Sequence, residues 1–418
     1  MTDSVKNSLK EALDFVGTFL KWVVIAAFVG CVCGGIGAAF SHSINFGASL
    51  FAKYNMLVLA LPLAGVVTVA LYKVCKIGKG VGTDTVIGSV NSDKKIPGLL
   101  APLIFVCTVL THTCGGSAGR EGAALQFGGS IAAVIGRLLR LDEKDVYIIT
   151  ICGMGGMFAA VFGTPLTAAF FAMEVISVGV IYFSAFIPSV MTALVSYKVA
   201  ILLGVTPLAF KVSVPGISAV VCLKIVVLSA LCAVLSIVFC LSIHCTARLL
   251  SKYIKNDYLR IIAGGCAVAA LTLILGTTDY NGAGTAIIAE CIGGKALPYA
   301  FILKIIFTAL TVSVGYKGGE IIPTFFVGAT FGCTVGGLLG LNPAFGAAIG
   351  IIAMFCGVTN CPIASIFMSV EIFGGAGVLI FALAAGVSYL LSGYYGLYSS
   401  QKIIYSKLRP EYINRLAK

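Results

Sequence analysis

Long apolar runs without a single charge recur along this chain, at 22–40, 56–72, 225–243, 261–276 and 376–391. Each approaches the ~20 apolar residues that a bilayer-spanning helix needs. A water-soluble core cannot absorb so many of them. The chain is 59% hydrophobic and only 11% charged, where soluble domains average about 25% charged. Lipid is therefore its natural solvent. Inside lipid every backbone polar group must be satisfied internally, which makes an all-α, polytopic bundle the expected fold.

The first apolar run is not a cleavable leader. Asp3, Glu11 and Asp14 mix with Lys6, Lys10 and Lys21 before it, and no small-x-small cleavage site follows. Leu9, Leu13, Val16 and Leu20 recur at helical spacing. They predict an amphipathic helix over 1–20 lying on the membrane. A first membrane repeat at 21–203, a second at 204–397 and a C-terminal helix at 398–418 complete the expected organisation.

The net charge of +12 would point to nucleic acid in a soluble protein. Here the cations flank the apolar runs: Lys73, Lys76 and Lys79; Lys252 and Lys255; Lys402, Lys407, Arg409, Arg415 and Lys418. Such flanks mark cytoplasmic loops and contacts with anionic lipid. No nucleic-acid partner is expected. The expected location is an inner or plasma membrane, with both termini cytoplasmic. Fifteen cysteines lie mostly within apolar runs, with no C-x-x-C pair, and His42, His112 and His244 share no motif. The cysteines read as small buried hydrophobes, with no metal and no disulfide. No nucleophile–base set is visible, so an enzyme is disfavoured and no cofactor is expected.

The strongest organisational signal is self-similarity. Gly119-Arg120-Glu121-Gly122 with Gly128 parallels Gly319-Glu320-Ile321-Ile322 with Gly328, each pair of outer glycines nine positions apart. Both enter a small-residue segment ending in Gly-x-Leu-Leu, at Gly136 and Gly336. Further on, Pro165 precedes Glu174 by nine positions, and Pro362 precedes Glu371 by nine. Two matched spacings indicate a duplicated half. In transporters built from repeats, the substrate sits near the bilayer midplane between broken helices whose N-termini face it. Glycine-rich breaks occur at 78–82, 115–122 and 315–319. One such break alone could be a kink or a close helix contact. Three together, one carrying a carboxylate, point to an ion site lined by free backbone N–H groups.

Glu121 is that carboxylate. An acidic group within an apolar span is costly and is a functional candidate by default. At a helix N-terminus it shares the electrostatic niche of a bound anion. Ionised, it competes for the site; protonated, it moves aside. Glu320 borders the second break and is either a proton relay or a structural cap. The shared repeat position of Glu174 and Glu371 favours a structural pairing.

Gly119-Arg120-Glu121-Gly122, followed by Gln126 and Gly128-Gly129, resembles the gating-glutamate motif of the CLC family of anion channels and transporters. Gly318-Gly319-Glu320-Ile321-Ile322-Pro323 is similar to its partner motif, and Gly80-Val81-Gly82-Thr83 falls where the family has its first anion loop. Gly396-Leu397-Tyr398-Ser399-Ser400-Gln401 falls where it has its central tyrosine. The match runs from about residue 20 to the end. It implies a CLC-type inverted-repeat bundle with broken helices, assembled as a homodimer. It also implies a gating and proton role for Glu121, with Glu320 as the second acid. The implied anion contacts are Val81, Gly82, Gly119, Arg120, Glu320, Ile321, Ile322 and Tyr398.

Some positions depart from the family pattern. Val81 replaces a serine that donates to chloride, and Asp84 and Ala123 replace prolines. Val175 replaces the inner proton glutamate. The stretch Thr111-His112-Thr113-Cys114-Gly115-Gly116-Ser117-Ala118 ahead of Gly119, the Gly318-Gly319-Glu320 motif and the Tyr398-Ser399-Ser400-Gln401 ending resemble the fluoride branch. That branch often carries phenylalanines where this chain has Asp84 and Ile87. The resemblance therefore implies an anion/proton antiporter exporting fluoride. The alternative is a chloride or nitrate transporter or a passive anion channel.

Overall fold

A computed structural model describes residues 3–78, 82–90 and 96–418, with side chains from residue 7. In chain order the first half contributes α1 (Asp3–Lys53), α2 (Leu61–Val74), α3 (Thr83–Val90), α4 (Leu100–Thr113), α5 (Glu121–Leu138), α6 (Glu143–Phe162), α7 (Pro165–Glu174), β1 (Ser177–Val178) and α8 (Phe186–Leu202). The second half contributes α9 (Ala219–Tyr253), α10 (Asp257–Leu275), α11 (Thr285–Ile292), α12 (Ala300–Val312), α13 (Ile321–Leu338), α14 (Pro343–Thr359), α15 (Pro362–Phe373) and α16 (Val378–Leu391). Strands β2 (Lys402–Tyr405) and β3 (Tyr412–Leu416) close the chain. The fold is all-α and polytopic, and seven helical stretches among the described residues are long and apolar enough to cross a membrane. Large apolar side chains such as Leu202, Leu338, Ile274 and Val74 point outward, as a lipid-facing surface requires.

Local chemistry sets matching boundaries in the two halves. The Asp142 carboxylate accepts the Asp145 N–H at 2.8 Å and caps α6, and Asn342 accepts the Ala344 N–H at 2.9 Å and caps α14. Both helices end on a left-handed residue, Gly163 and Asn360. Pro165 and Pro362 then open α7 and α15 at the first helical position, where a missing N–H costs nothing. Helices α5 and α13 each have 18 residues. A ladder of rings joins the halves. Phe162 meets Phe325 with ring centroids 5.6 Å apart, Phe171 meets Phe355 at 5.4 Å, and Phe325 meets Phe355 at 5.8 Å.

The paired acids work crosswise. Glu174, at the end of α7, accepts the N–H groups of Ile363 and Ala364 at 3.2 and 2.9 Å. Glu371, in α15, accepts those of Leu166 and Thr167 at 2.8 Å each. Each carboxylate caps the first turn of the other half's helix, where orphan donors and the positive dipole end favour it.

Two expected boundaries are corrected. The amphipathic segment at 1–20 is not a separate helix but the start of α1, a single helix of 51 residues. No proline or cap interrupts it, and at 1.5 Å per residue it is about 75 Å long, over twice the hydrocarbon core. Its first turns therefore project beyond the bundle, with Leu9, Leu13, Val16 and Leu20 exposed. The C-terminal helix expected at 398–418 is instead a β-hairpin. Pro410 breaks any helical ladder there, and Ile403, Ile404, Tyr405, Tyr412 and Ile413 suit strands. A partner strand is at hand: β1 pairs with β2 in parallel, Ser177 opposite Lys402, and β2 pairs with β3 antiparallel, Ile403 opposite Arg415. Lys407 at the hairpin turn donates to Asn360 Oδ1 at 2.6 Å and to the Tyr389 carbonyl at 2.7 Å, tying the hairpin to the bundle.

Candidate functional site: two helix starts and a buried carboxylate

The two halves meet at their glycine loops. Gly119 and Gly319 form an isolated antiparallel bridge, each N–H donating to the other's carbonyl at 2.6 Å. Side chains are excluded there: a Cβ on Gly319 would lie 2.4 Å from the Gly122 nitrogen, and one on Gly119 would lie 2.7 Å from Glu121 Oε2. Immediately after the bridge, α5 begins at Glu121 and α13 begins at Ile321. Two helix N-termini thus converge in the protein interior. Pro323 has no N–H, so Ile321 and Ile322 carry the free backbone donors at the first positions of α13.

Glu121 is 1% exposed. Its Oε2 accepts the Arg120 N–H at 3.0 Å, and Arg120 Nε stands 3.5 Å from Oε1. Arg120 Nη1 also donates to Asn45 Oδ1 on α1 at 3.2 Å. Above Glu121 opens a cavity of about 440 Å³ lined by Asn45, His112, Arg120, Asp279 and Ile322, with Glu121 in its wall. The carboxylate therefore sits between an aqueous vestibule and the helix starts.

Three buried polar atoms have no partner among the described residues: Gln126 Oε1, Glu320 Oε2 and the Tyr398 hydroxyl. Native interiors rarely leave such groups unpaired without a role. Glu320 Oε2 lies beside Gly122, 3.1 Å from where its Cβ would be. The turn after Tyr398 is held by Asp84, next to Thr83, which reaches the Gly122 carbonyl. A tyrosine donor and the Ile321 and Ile322 amides are suited to hold a small anion. Glu121 and Glu320 are two carboxyl groups at the two helix starts.

Of the residues singled out from the sequence, Gly119, Arg120, Glu121, Glu320, Ile321, Ile322 and Tyr398 come together here. Gly82 stands at the start of α3, its N–H donating to Thr85 Oγ1 at 3.3 Å. Val81 lies outside the described residues. Val175 is fully buried among apolar groups, so no acid stands at that position.

Four further residues shape the site. Thr83 accepts from Gln126 Nε2 at 2.5 Å and donates to the Gly122 carbonyl at 3.4 Å. His112 Nε2 lies 3.2 Å from the Gly119 carbonyl and so carries its hydrogen there. Asp84 binds the turn after Tyr398. Lys304 is fully buried and donates to the carbonyls of Tyr280 and Gly282 at 3.1 and 2.8 Å, behind the vestibule. A lysine within the apolar run of α12 was a readable signal. The contacts of Thr83, His112 and Asp84 span tens to hundreds of positions or depend on the fold, and nothing local announces them. No group of three metal-ligating side chains occurs among the described residues.

A multi-pass membrane protein with two inverted halves, broken helices meeting in its interior and a buried carboxylate at one helix start is the class that this fold and site define. A family model described as voltage gated chloride channel matches residues 63–393, and the chain belongs to that family, the CLC proteins. It is 31% identical over 407 residues, 95% of this chain and 90% of the relative, to a chloride/fluoride channel protein of Pseudomonas syringae pv. tomato. Among solved structures it superposes on a CLC-type fluoride/proton antiporter with a TM-score of 0.89 at 29% identity, covering 91% of this chain and 98% of that one. A slow cyanobacterial Cl⁻/H⁺ antiporter matches with a TM-score of 0.76 at 17% identity, over 89% of this chain and 94% of that one, a likeness of fold alone.

Proposed function

We propose that this protein is a proton-coupled antiporter that exports fluoride, with Glu121 as both gate and proton carrier. The observation that carries the reading is the buried Glu121 carboxylate at the start of α5, walling an open vestibule on one side. Ile322, at the start of α13, lines the same vestibule, and the buried Tyr398 hydroxyl has no partner among the described residues. An anion held by backbone dipoles leaves easily, because no fixed counter-charge must be broken. Fluoride keeps its hydration shell tightly, so its site must supply close N–H and O–H donors. Ile321, Ile322 and Tyr398 supply these. Gly82, Gly119 and Arg120 form the approach, and Val81 is the remaining expected anion contact. The likeness to a fluoride/proton antiporter supports the choice of anion and of coupling.

Protonated from the vestibule, Glu121 loses its charge and swings away. The anion then passes, and Glu320, whose Oε2 has no protein partner, takes the relay in place of the acid missing at Val175. The repeats are 21–203 and 204–397. The protein works as a homodimer in a cell membrane, both termini cytoplasmic.

A passive chloride or fluoride channel is the second reading. It is favoured by the apolar Val175 and by the likeness to a protein named as a channel. Purified protein in liposomes, read with fluoride- and chloride-selective electrodes, separates the two. Fluoride efflux faster than chloride, with protons driven uphill by the anion gradient, is the expected result. Fluoride moving no faster than chloride removes the first choice of anion, and anion flux with no uphill proton movement leaves the channel.

A further inference from the structure

We infer that Asp84 is a positioning residue that fixes Tyr398 at the inner end of the anion pathway; this rests on the transport reading above. Its carboxylate uses both oxygens on the turn that follows the tyrosine. Oδ1 accepts the Ser400 N–H at 2.8 Å, and Oδ2 accepts the Ser399 hydroxyl at 3.0 Å. These bonds cross 316 and 315 positions of sequence, so they join the first anion loop to the last. Asp84 is not needed to cap its own helix: at the start of α3, Thr85 Oγ1 accepts the Gly82 N–H. Later in α3, Gly88 lies against Ser400, whose Cβ and Oγ would stand 3.6 Å from a Cβ added there. The neighbouring Thr83 binds the Gly122 carbonyl and Gln126. Two adjacent side chains of α3 thus hold opposite walls of the site. Thr83 holds the α5 start and Asp84 the tyrosine turn.

Among the described residues the Tyr398 hydroxyl has no acceptor to orient it. Its place is set by its backbone instead. On one side the Leu397 N–H donates to the Val358 carbonyl at 2.9 Å. On the other, Asp84 grips Ser399 and Ser400. A donor aimed at a small anion must be held to a fraction of an ångström, since a loosened supporting shell costs more than a lost contact. Charge-assisted bonds to a backbone N–H suit that task.

The test is anion efflux from liposomes at varied internal fluoride and chloride. Asp84→Ala is expected to raise the concentration at half-maximal flux about tenfold, in line with the loss of charge-assisted bonds. Asp84→Asn keeps an amide oxygen for the Ser400 N–H and is expected to change it less than about threefold. Tyr398→Phe is expected to cost about tenfold in the wild type but under about twofold on top of Asp84→Ala, because the two act as a unit. Additive losses, or an Asp84→Ala variant that matches wild type, overturn the inference. If Asp84→Ala does not fold, Ser399→Ala, which removes one of the two bonds, enters the same cycle and is read the same way. Wild-type vesicles that move neither anion overturn the transport reading instead. Hydrogen exchange at the Ser400 amide then still decides the latch: protection lost in Asp84→Ala and kept in Asp84→Asn supports it, and equal protection in both overturns it.

Discussion

At the scale of single residues, Glu121 separates conduction from coupling. Glutamine has the same shape and can still accept the Arg120 N–H that now binds Glu121 Oε2, but it cannot exchange a proton at neutral pH. Glu121→Gln is therefore expected to leave anion flux in place and abolish uphill proton movement, measured with a pH electrode against an imposed anion gradient. Proton uptake that persists would remove Glu121 from the proton path. Glu121 and Glu320 were legible in the sequence because acids and glycine breaks stand out in an apolar chain, whereas Tyr398 was legible only through the resemblance to the family's central tyrosine. Asp84 was legible only as a departure from a family pattern. Its partners, Ser399 and Ser400, lie at the other end of the chain, and no local signal could have announced them. Lys304 was there to be read, as a lysine in an apolar helix, but only the fold shows that it holds the carbonyls of Tyr280 and Gly282.

At the scale of elements, the crosswise capping by Glu174 and Glu371 binds the two halves without touching the anion. Glu371→Ala leaves the Leu166 and Thr167 N–H groups without their acceptor. A loss of about 1–3 kcal/mol is expected, read as a lower melting temperature in detergent with proton-to-anion coupling unchanged. A shift in coupling ratio would give the acid a transport role instead. Packing of the paired helices is tested separately. A Cβ at Gly328 on α13 would lie 2.4 Å from the Gly350 carbonyl oxygen on α14, and backbone cannot yield as a side chain can. Gly328→Ala is expected to force the helices apart at a cost of about 1–3 kcal/mol. It would appear as broadened size-exclusion profiles, and a wild-type profile and melting temperature would refute that closeness. The nine-residue spacing from each proline to its glutamate revealed the repeat in the sequence. That each acid caps the opposite half was not legible, since spacing within a repeat says nothing about how the repeats dock. The C-terminal hairpin was missed for a related reason: β1 is two residues long, too short to announce itself as a partner strand.

At the scale of the whole molecule, the proposed orientation, both termini cytoplasmic, has consequences at two exposed residues. Lys21 near the start of the first span pairs with Asp145 in the first turn of α6. Helix α6 crosses to Phe162, the chain turns, and α7 returns to β1, which pairs with the C-terminal β2. These contacts agree with the proposed placement of both chain ends on the side where α6 begins. Helix α10 starts just after Lys252 and Lys255 and ends at Leu275, beside the segment 278–287 that walls the vestibule. Lysines gather at cytoplasmic flanks, so in the proposed orientation the vestibule and Glu121 face the outside and the hairpin lies within. Asp279 in the vestibule and Glu411 in the hairpin are both exposed, which makes them paired reporters. With the exposed Cys31, Cys245 and Cys266 replaced by serine, Asp279→Cys is expected to react with a membrane-impermeant maleimide in intact cells. Glu411→Cys is expected to react only after the membrane is opened. The reverse pattern would turn the protein over in the bilayer. Glu121 would then exchange its proton with the cytoplasmic side, and the outward-facing gate would have to be assigned to another residue.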